Sequence, residues 1–173
     1  MSNVHLTVGD ITTAKTDAIV NAANSGLQAG GGVCGAIFRA AGPELQTACD
    51  AVAAPGGVRC PTGEARITAA GKLPSRFVIH AVGPRYGIDP RPEALLASAY
   101  RDTYTLALEH GCRTVAVPAI SCGIFGYPVE EAATIALGTS LESAFDTLEI
   151  TFYLFDREIH AVFAAALERL DGG

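Results

Sequence analysis

Short runs of apolar, often β-branched residues alternate along this chain with longer stretches in which apolar positions recur every three or four residues. The short runs cover residues 4–8, 18–22, 65–69, 77–82, 114–118 and 149–155. Several are apolar at nearly every position, as strands covered on both faces must be. The longer stretches cover 35–52, 92–109, 129–144 and 157–170, and in the second of these Leu96, Ala99, Tyr100, Thr103, Leu106 and Ala107 share one helical face. His110-Gly111 then marks a helix end. Strands alternating with helices predict an α/β domain with a largely parallel sheet and helices on both sides.

Composition narrows this picture. With 173 residues and no internal repeat, the chain fits one domain spanning 1–173. Hydrophobic residues make up 49% and charged residues only 17%, which supplies a sizeable core and excludes extended disorder. The net charge of −6, without any Lys/Arg cluster, argues against an extended nucleic-acid-binding surface, so nucleic acid would enter only through a local site. The N-terminus has no basic segment leading into an apolar run, and Gly, Pro or charge interrupts every later apolar stretch. A cytoplasmic, membrane-free monomer is expected. Five cysteines, none in C-x-x-C spacing, are expected to be reduced thiols, and no motif calls for a metal or a cofactor.

Candidate chemistry concentrates in two glycine-rich loops, each leading from a strand into a helix. The first runs from Asn24 through Gly30-Gly31-Gly32-Val33-Cys34-Gly35, and the second from Ala119 through Ser121-Cys122-Gly123-Ile124-Phe125-Gly126 to Pro128. Ligands of parallel sheets bind beyond the carboxyl ends of the strands, where helix N-termini present unpaired N–H groups. Closely spaced glycines let consecutive N–H groups converge on an anion. One such loop holds one phosphate; two on neighbouring strands suit a diphosphate, hence a nucleotide-like ligand. The plainer reading is that the glycines only permit tight turns.

Gly30-x-Gly32-x-x-Gly35 matches the dinucleotide fingerprint formally. The first glycine lies too far from its strand, however, and Asp50 falls in a helix rather than at the end of the next strand. Gly71-Lys72 lacks the Ser/Thr of a P-loop. Asn24, at a strand exit, has an amide able to meet sugar hydroxyls or to close an Asx turn. Asn21 is expected to be a buried residue bonded to backbone. Asp10 suits either an exocyclic amine or an N-cap. His80, inside an apolar strand, is expected to be a core residue.

Gly9-Asp10-Ile11-Thr12, Ile19-Val20-Asn21-Ala22-Ala23-Asn24, Gly30-Gly31-Gly32-Val33, Gly35-Ala36-Ile37, Ala40-Ala41-Gly42-Pro43, Cys60-Pro61-Thr62-Gly63, Val78-Ile79-His80-Ala81-Val82-Gly83-Pro84 and Pro118-Ala119-Ile120-Ser121 to Tyr127-Pro128 together resemble the macro domain in its MacroD-type branch. The likeness covers nearly the whole chain. It implies a three-layer α/β/α sandwich with a mixed sheet and a cleft for ADP-ribose, free or attached to a macromolecule. By the resemblance, Asp10 and Ile11 meet the adenine, with Phe155 and Asp156 flanking it. Asn24 meets the distal ribose; Gly31, Gly32, Val33 and Cys34 line the ribose and phosphates. Ser121, Cys122, Gly123, Ile124, Phe125 and Gly126 wrap the diphosphate, with Phe125 closing over the distal ribose.

Hydrolytic members of that branch carry an Asp directly after Gly-Gly-Gly-Val and often a His four residues on. This chain has Cys34 and Phe38 instead. Cys34 can be a small neutral filler, a thiolate base or nucleophile activated by the helix start, or a redox latch. Only the thiolate would supply chemistry directly. An ADP-ribosyl hydrolase or O-acetyl-ADP-ribose deacetylase with Asn24, Cys34 and Phe125 at the reacting end therefore requires substrate-assisted activation of water. The other reading is a non-catalytic ADP-ribose reader.

Overall fold

The computed structural model describes residues 3–172. Six strands form one sheet: β1 (Val4–Val8), β2 (Ala18–Ala22), β3 (Ala65–Ala69), β4 (Phe77–Ala81), β5 (Thr114–Val117) and β6 (Glu149–Leu154), in the order β1-β6-β5-β2-β4-β3. Every neighbouring pair is parallel except β3 with β4. The helices are α1 (Gly32–Ala41), α2 (Pro43–Asp50), α3 (Pro92–Glu109), α4 (Val129–Ser140) and α5 (Arg157–Gly172). No helix among the described residues is long and apolar enough to cross a membrane.

Strand alternation divides the interior into two apolar layers. On one face Val20, Ile79, Val115, Val117 and Phe152 pack with Leu96, Tyr100, Leu137 and Phe163 of α3, α4 and α5. On the other, Ile19, Val78 and Ala116 pack with Ile37, Leu45 and Cys49 of α1 and α2. The three-layer α/β/α arrangement follows from these two faces.

The single helix expected over 35–52 is two helices. Gly42 closes α1 by donating its N–H to the Phe38 carbonyl at 3.2 Å, then turns the chain with φ of 77°. Pro43 starts α2, where its missing N–H costs nothing. α1 also begins at Gly32 rather than 35, so Val33 and Cys34 belong to its first turn. The helix expected to reach 144 stops at Ser140, and Ser143–Phe145 form a separate 3₁₀ turn. Strands β4, β5 and β6 each end one residue before the expected limit.

Pairing between β2 and β5 covers only Ala18 with Val115 and Ile19 with Ala116. Pro118, just beyond β5, has no N–H to continue a ladder. The two central strands therefore part toward their carboxyl ends, where the two glycine loops emerge.

Candidate functional site

The predicted site residues all lie beyond the carboxyl ends of the parallel strands. Asp10 and Ile11 follow β1, the first glycine loop follows β2, the second follows β5, and Phe155 and Asp156 follow β6. Because β2 and β5 are neighbours, the two glycine loops stand side by side. β1 and β6 are also neighbours, and Gly9 donates to the Leu154 carbonyl at 3.2 Å, bringing Asp10 near Phe155.

The first loop is held by its own polar groups. Asn24 accepts from the Gln28 N–H through Oδ1 at 2.9 Å and donates to the Gln28 carbonyl through Nδ2 at 2.8 Å. Its amide thus shapes the turn, leaving one further N–H and one lone pair for another partner. Leu27 adopts a left-handed backbone, φ 54°, and buries its side chain in the core, anchoring the tip. Gln46 of α2 pins the same segment from outside by accepting from the Ala29 N–H at 3.1 Å and donating to the Leu27 carbonyl at 3.2 Å. Nothing in the sequence marks Gln46 for this task, which only the turn between α1 and α2 makes available.

Gly31 is the N-cap of α1 and brings no capping side chain, so the N–H groups of Gly32, Val33 and Cys34 open the helix without intrahelical partners. Gly35 must be glycine because a Cβ there would press into the Gly30 carbonyl. A Cβ placed on Gly30 would lie 3.7 Å from Asn24 Nδ2 and 3.9 Å from Cys34 Sγ, so Asn24 and Cys34 converge on that residue. Cys34 is 6% exposed and directs its thiol toward the Gln28 carbonyl at 3.7 Å. Burial pushes this thiol above the ordinary thiol range, against smaller opposing effects from Asn21 and the Gly30 backbone. Cys34 therefore stays protonated near neutral pH.

The second loop hangs from the core at its root. Tyr100, fully buried, accepts from the Ile120 N–H at 3.0 Å and donates to the Pro118 carbonyl. Ser121 takes a left-handed backbone, φ 68°, and donates its hydroxyl to the Pro84 carbonyl at 2.8 Å. Tyr127 donates its N–H to the Ser121 carbonyl at 2.9 Å and Gly126 to the Gly123 carbonyl at 3.0 Å. Between them the N–H groups of Gly123, Ile124 and Phe125 find no acceptor among the described residues. Three consecutive donors without a described acceptor and the uncapped start of α1 thus follow neighbouring strands, a donor arrangement of the kind that can hold an anion. Cys122 is half-buried, and burial pushes its thiol to about 11. All five cysteines are free thiols.

At the other end, Asp10 accepts from the Thr12 hydroxyl at 2.7 Å and the Thr12 N–H at 2.9 Å, both through Oδ1. These bonds, the hydroxyl first, hold its carboxyl below the usual range. Asp156 likewise accepts from the Ile159 N–H through Oδ1 at 2.9 Å, capping α5. Each keeps its second oxygen unengaged by the described residues. Ile11 is buried, whereas Phe155 is 88% and Ile124 90% exposed, two large apolar groups standing bare on the rim.

Asn21, expected to bond to backbone, is instead fully buried against a side chain: it pairs with His80 Nδ1 at 3.1 Å. The reason is register, since Asn21 lies directly opposite His80 on the α1/α2 face of the sheet. His80 is a core residue as expected.

A family model for the macro domain matches residues 20–136. A macro domain-containing protein of Vibrio parahaemolyticus is 52% identical over 167 residues, covering 96% of this chain and 98% of its own length. An O-acetyl-ADP-ribose deacetylase of Citrobacter rodentium is 54% identical over 142 residues, covering 82% of this chain and 80% of its own. Among solved structures, the Oceanobacillus iheyensis macrodomain with ADP superposes with a TM-score of 0.92 at 42% identity, covering 96% of this chain and 90% of that one. This chain belongs to the macro domain family.

Proposed function

We propose that this protein binds ADP-ribose across its two glycine loops and hydrolyses the bond joining the distal ribose to an acyl or nucleic-acid carrier, O-acetyl-ADP-ribose included. The observation that carries this reading is the pair of adjacent donor arrays, the first turn of α1 and the free N–H groups of Gly123, Ile124 and Phe125. Two such arrays, on loops that follow neighbouring strands, suit two phosphates rather than one. In this reading Asp10, Ile11, Phe155 and Asp156 hold the adenine, while Asn24, Cys34 and Phe125 surround the distal ribose. The family's solved members with ADP and ADP-ribose, and relatives named O-acetyl-ADP-ribose deacetylase, support it.

Catalysis rests on orientation. Cys34 is a neutral thiol here and supplies no base. A water held by a ligand phosphate oxygen adds to the ester carbonyl carbon while the donor-rich loops hold the diphosphate rigid. The carbonyl–ribose bond breaks, and the water's proton passes to the departing ribose oxygen, leaving a carboxylic acid and ADP-ribose. A rate below that of a carboxylate-assisted site follows.

The neutral Cys34 also favours a second reading, a reader that binds ADP-ribose without turnover. Single-turnover release of ADP-ribose from an ester-linked mono-ADP-ribosylated substrate separates the two, with Asn24→Ala run in parallel and ADP-ribose affinity measured for both proteins. Release by the wild type that falls at least tenfold in the variant supports the hydrolase. Tight ADP-ribose binding with no release at saturating protein leaves the reader.

A further inference from the structure

Beside the second glycine loop, on the side where α3 and α4 begin, lies an open groove of about 770 Å³. Its walls include Tyr86, Ile88, Glu93, Tyr127, Glu131 and Ile135. The rings of Tyr86 and Tyr127 meet at 4.8 Å between centroids with planes inclined by 58°. The groove is tied directly to the proposed site: Tyr86 donates its N–H to the Phe125 carbonyl at 2.9 Å, and Tyr127 belongs to the second glycine loop.

Three features of the groove seek a cation. Tyr127 lines the groove with only 4% of its surface exposed, and its phenol hydroxyl, open to solvent, has no hydrogen-bond partner among the described residues. Glu93 and Glu131 lie near enough to raise its pKa together with burial, the larger cause. Neither glutamate forms an ion pair with a described residue, in contrast to neighbouring Asp89, which Arg85 neutralises at 3.0 Å. Both glutamates stand in first turns of helices, where the macrodipole favours them, but that preference does not account for both of them acting on one phenol. Tyrosine faces and carboxylates together are the lining that a guanidinium or ammonium group meets best.

We infer that this groove receives an Arg or Lys side chain of the polypeptide carrying the ADP-ribose, close in sequence to the modified residue. The inference rests on the proposed binding of ADP-ribose and extends it to the carrier. A polypeptide suits the groove because its rim adds apolar surface: Ile88 is 69% and Tyr86 41% exposed. A charge of −6 on the whole chain further favours a basic segment over an acidic one.

The test uses peptides bearing ADP-ribose through a hydrolysis-resistant amide, identical except that arginine or glutamate flanks the modified position. Calorimetry on the full chain is expected to give at least tenfold tighter binding of the arginine peptide. The double variant Glu93→Gln/Glu131→Gln should remove that preference while leaving the affinity for free ADP-ribose unchanged. Tyr127→Phe, which keeps the ring, should reduce it. Equal binding of the two peptides, with free ADP-ribose still bound, overturns the carrier inference alone. An ADP-ribosylated oligonucleotide bound as tightly as the arginine peptide also overturns it. Failure of free ADP-ribose to bind overturns the underlying function as well.

Discussion

Asn21 and His80 face each other across the parallel β2–β4 ladder and are joined through their side chains, Asn21 Nδ2 to His80 Nδ1 at 3.1 Å. With Nδ1 accepting, Nε2–H donates to Thr68 Oγ1 at 3.0 Å, and the Cys49 thiol stands 3.6 Å from the same nitrogen. A neutral imidazole, accepting at Nδ1 and donating at Nε2, makes the bonds to Asn21 and Thr68, while Asn21 Oδ1 is left buried without a partner among the described residues.

Burial lowers the His80 pKa from the ordinary 6.5 to about 4. Above pH 6.5 the residue is neutral in both folded and unfolded chains, so its contribution is fully present there. As pH falls from 6.5 toward 4, the unfolded chain takes up a proton that the folded one refuses, and stability drops by about 3 kcal/mol. Urea denaturation at pH 7 and pH 4.5 should show most of this loss. His80→Gln, less stable at pH 7, should show a much flatter dependence, and a wild type equally stable at both values would refute the assignment.

Gly35→Ala tests the first loop. The new Cβ meets the Gly30 carbonyl, which is backbone and moves only if the loop shifts. Overpacking of this kind costs about 1–3 kcal/mol. We expect a lower Tm and at least tenfold weaker ADP-ribose binding by calorimetry. Unchanged affinity would separate the loop's shape from ligand recognition.

Phe155→Ala tests the exposed rim. The ring contributes little to the folded chain's packing because it is 88% exposed. Stacking a base on an aromatic face is worth about 1–3 kcal/mol. The variant should keep its Tm and lose about tenfold or more in affinity for ADP-ribose, with a smaller loss for ribose 5-phosphate, which lacks the base. Equal losses for both ligands would place the adenine elsewhere.

Cys34→Asp tests the missing base. A carboxylate at this position, beside Asn24 and Gly30, should raise turnover by about 10²-fold or more while changing ADP-ribose affinity little. Single-turnover release of ADP-ribose reads the first, calorimetry the second. A variant with correct affinity and no gain in rate would show that the absent carboxylate is not what limits this protein.

The strands and the two loops were legible in the sequence because both rest on local signals, β-branched runs and glycine clusters; the order of the strands in the sheet was not, since it depends on pairings between segments far apart in the chain. The break between α1 and α2 was written in Gly42-Pro43 but lost inside a continuous apolar period. The partnership of Asn21 with His80 was not legible, since it depends on the register of strands separated by more than fifty residues in sequence. Asn24 showed its amide but not its partner: Gln28 occupies both ends of that group. The groove beside Tyr127 draws on the loop around Tyr86, the start of α3 and the first turns of α4, and only the fold brings these together.

The short pairing of β2 with β5 has a mechanical consequence. Two residue pairs hold the sheet's centre there, against five between β2 and β4. Past Ile19 and Ala116 the sheet is a seam whose sides no ladder joins, and the two donor-rich loops form its lips. An anion lying across them would act as a suture, coupling two flanks that the backbone leaves separate. Ligand occupancy and stiffness at the molecule's centre then become one property, and amide exchange along the carboxyl ends of β2 and β5 should slow together when the seam is closed.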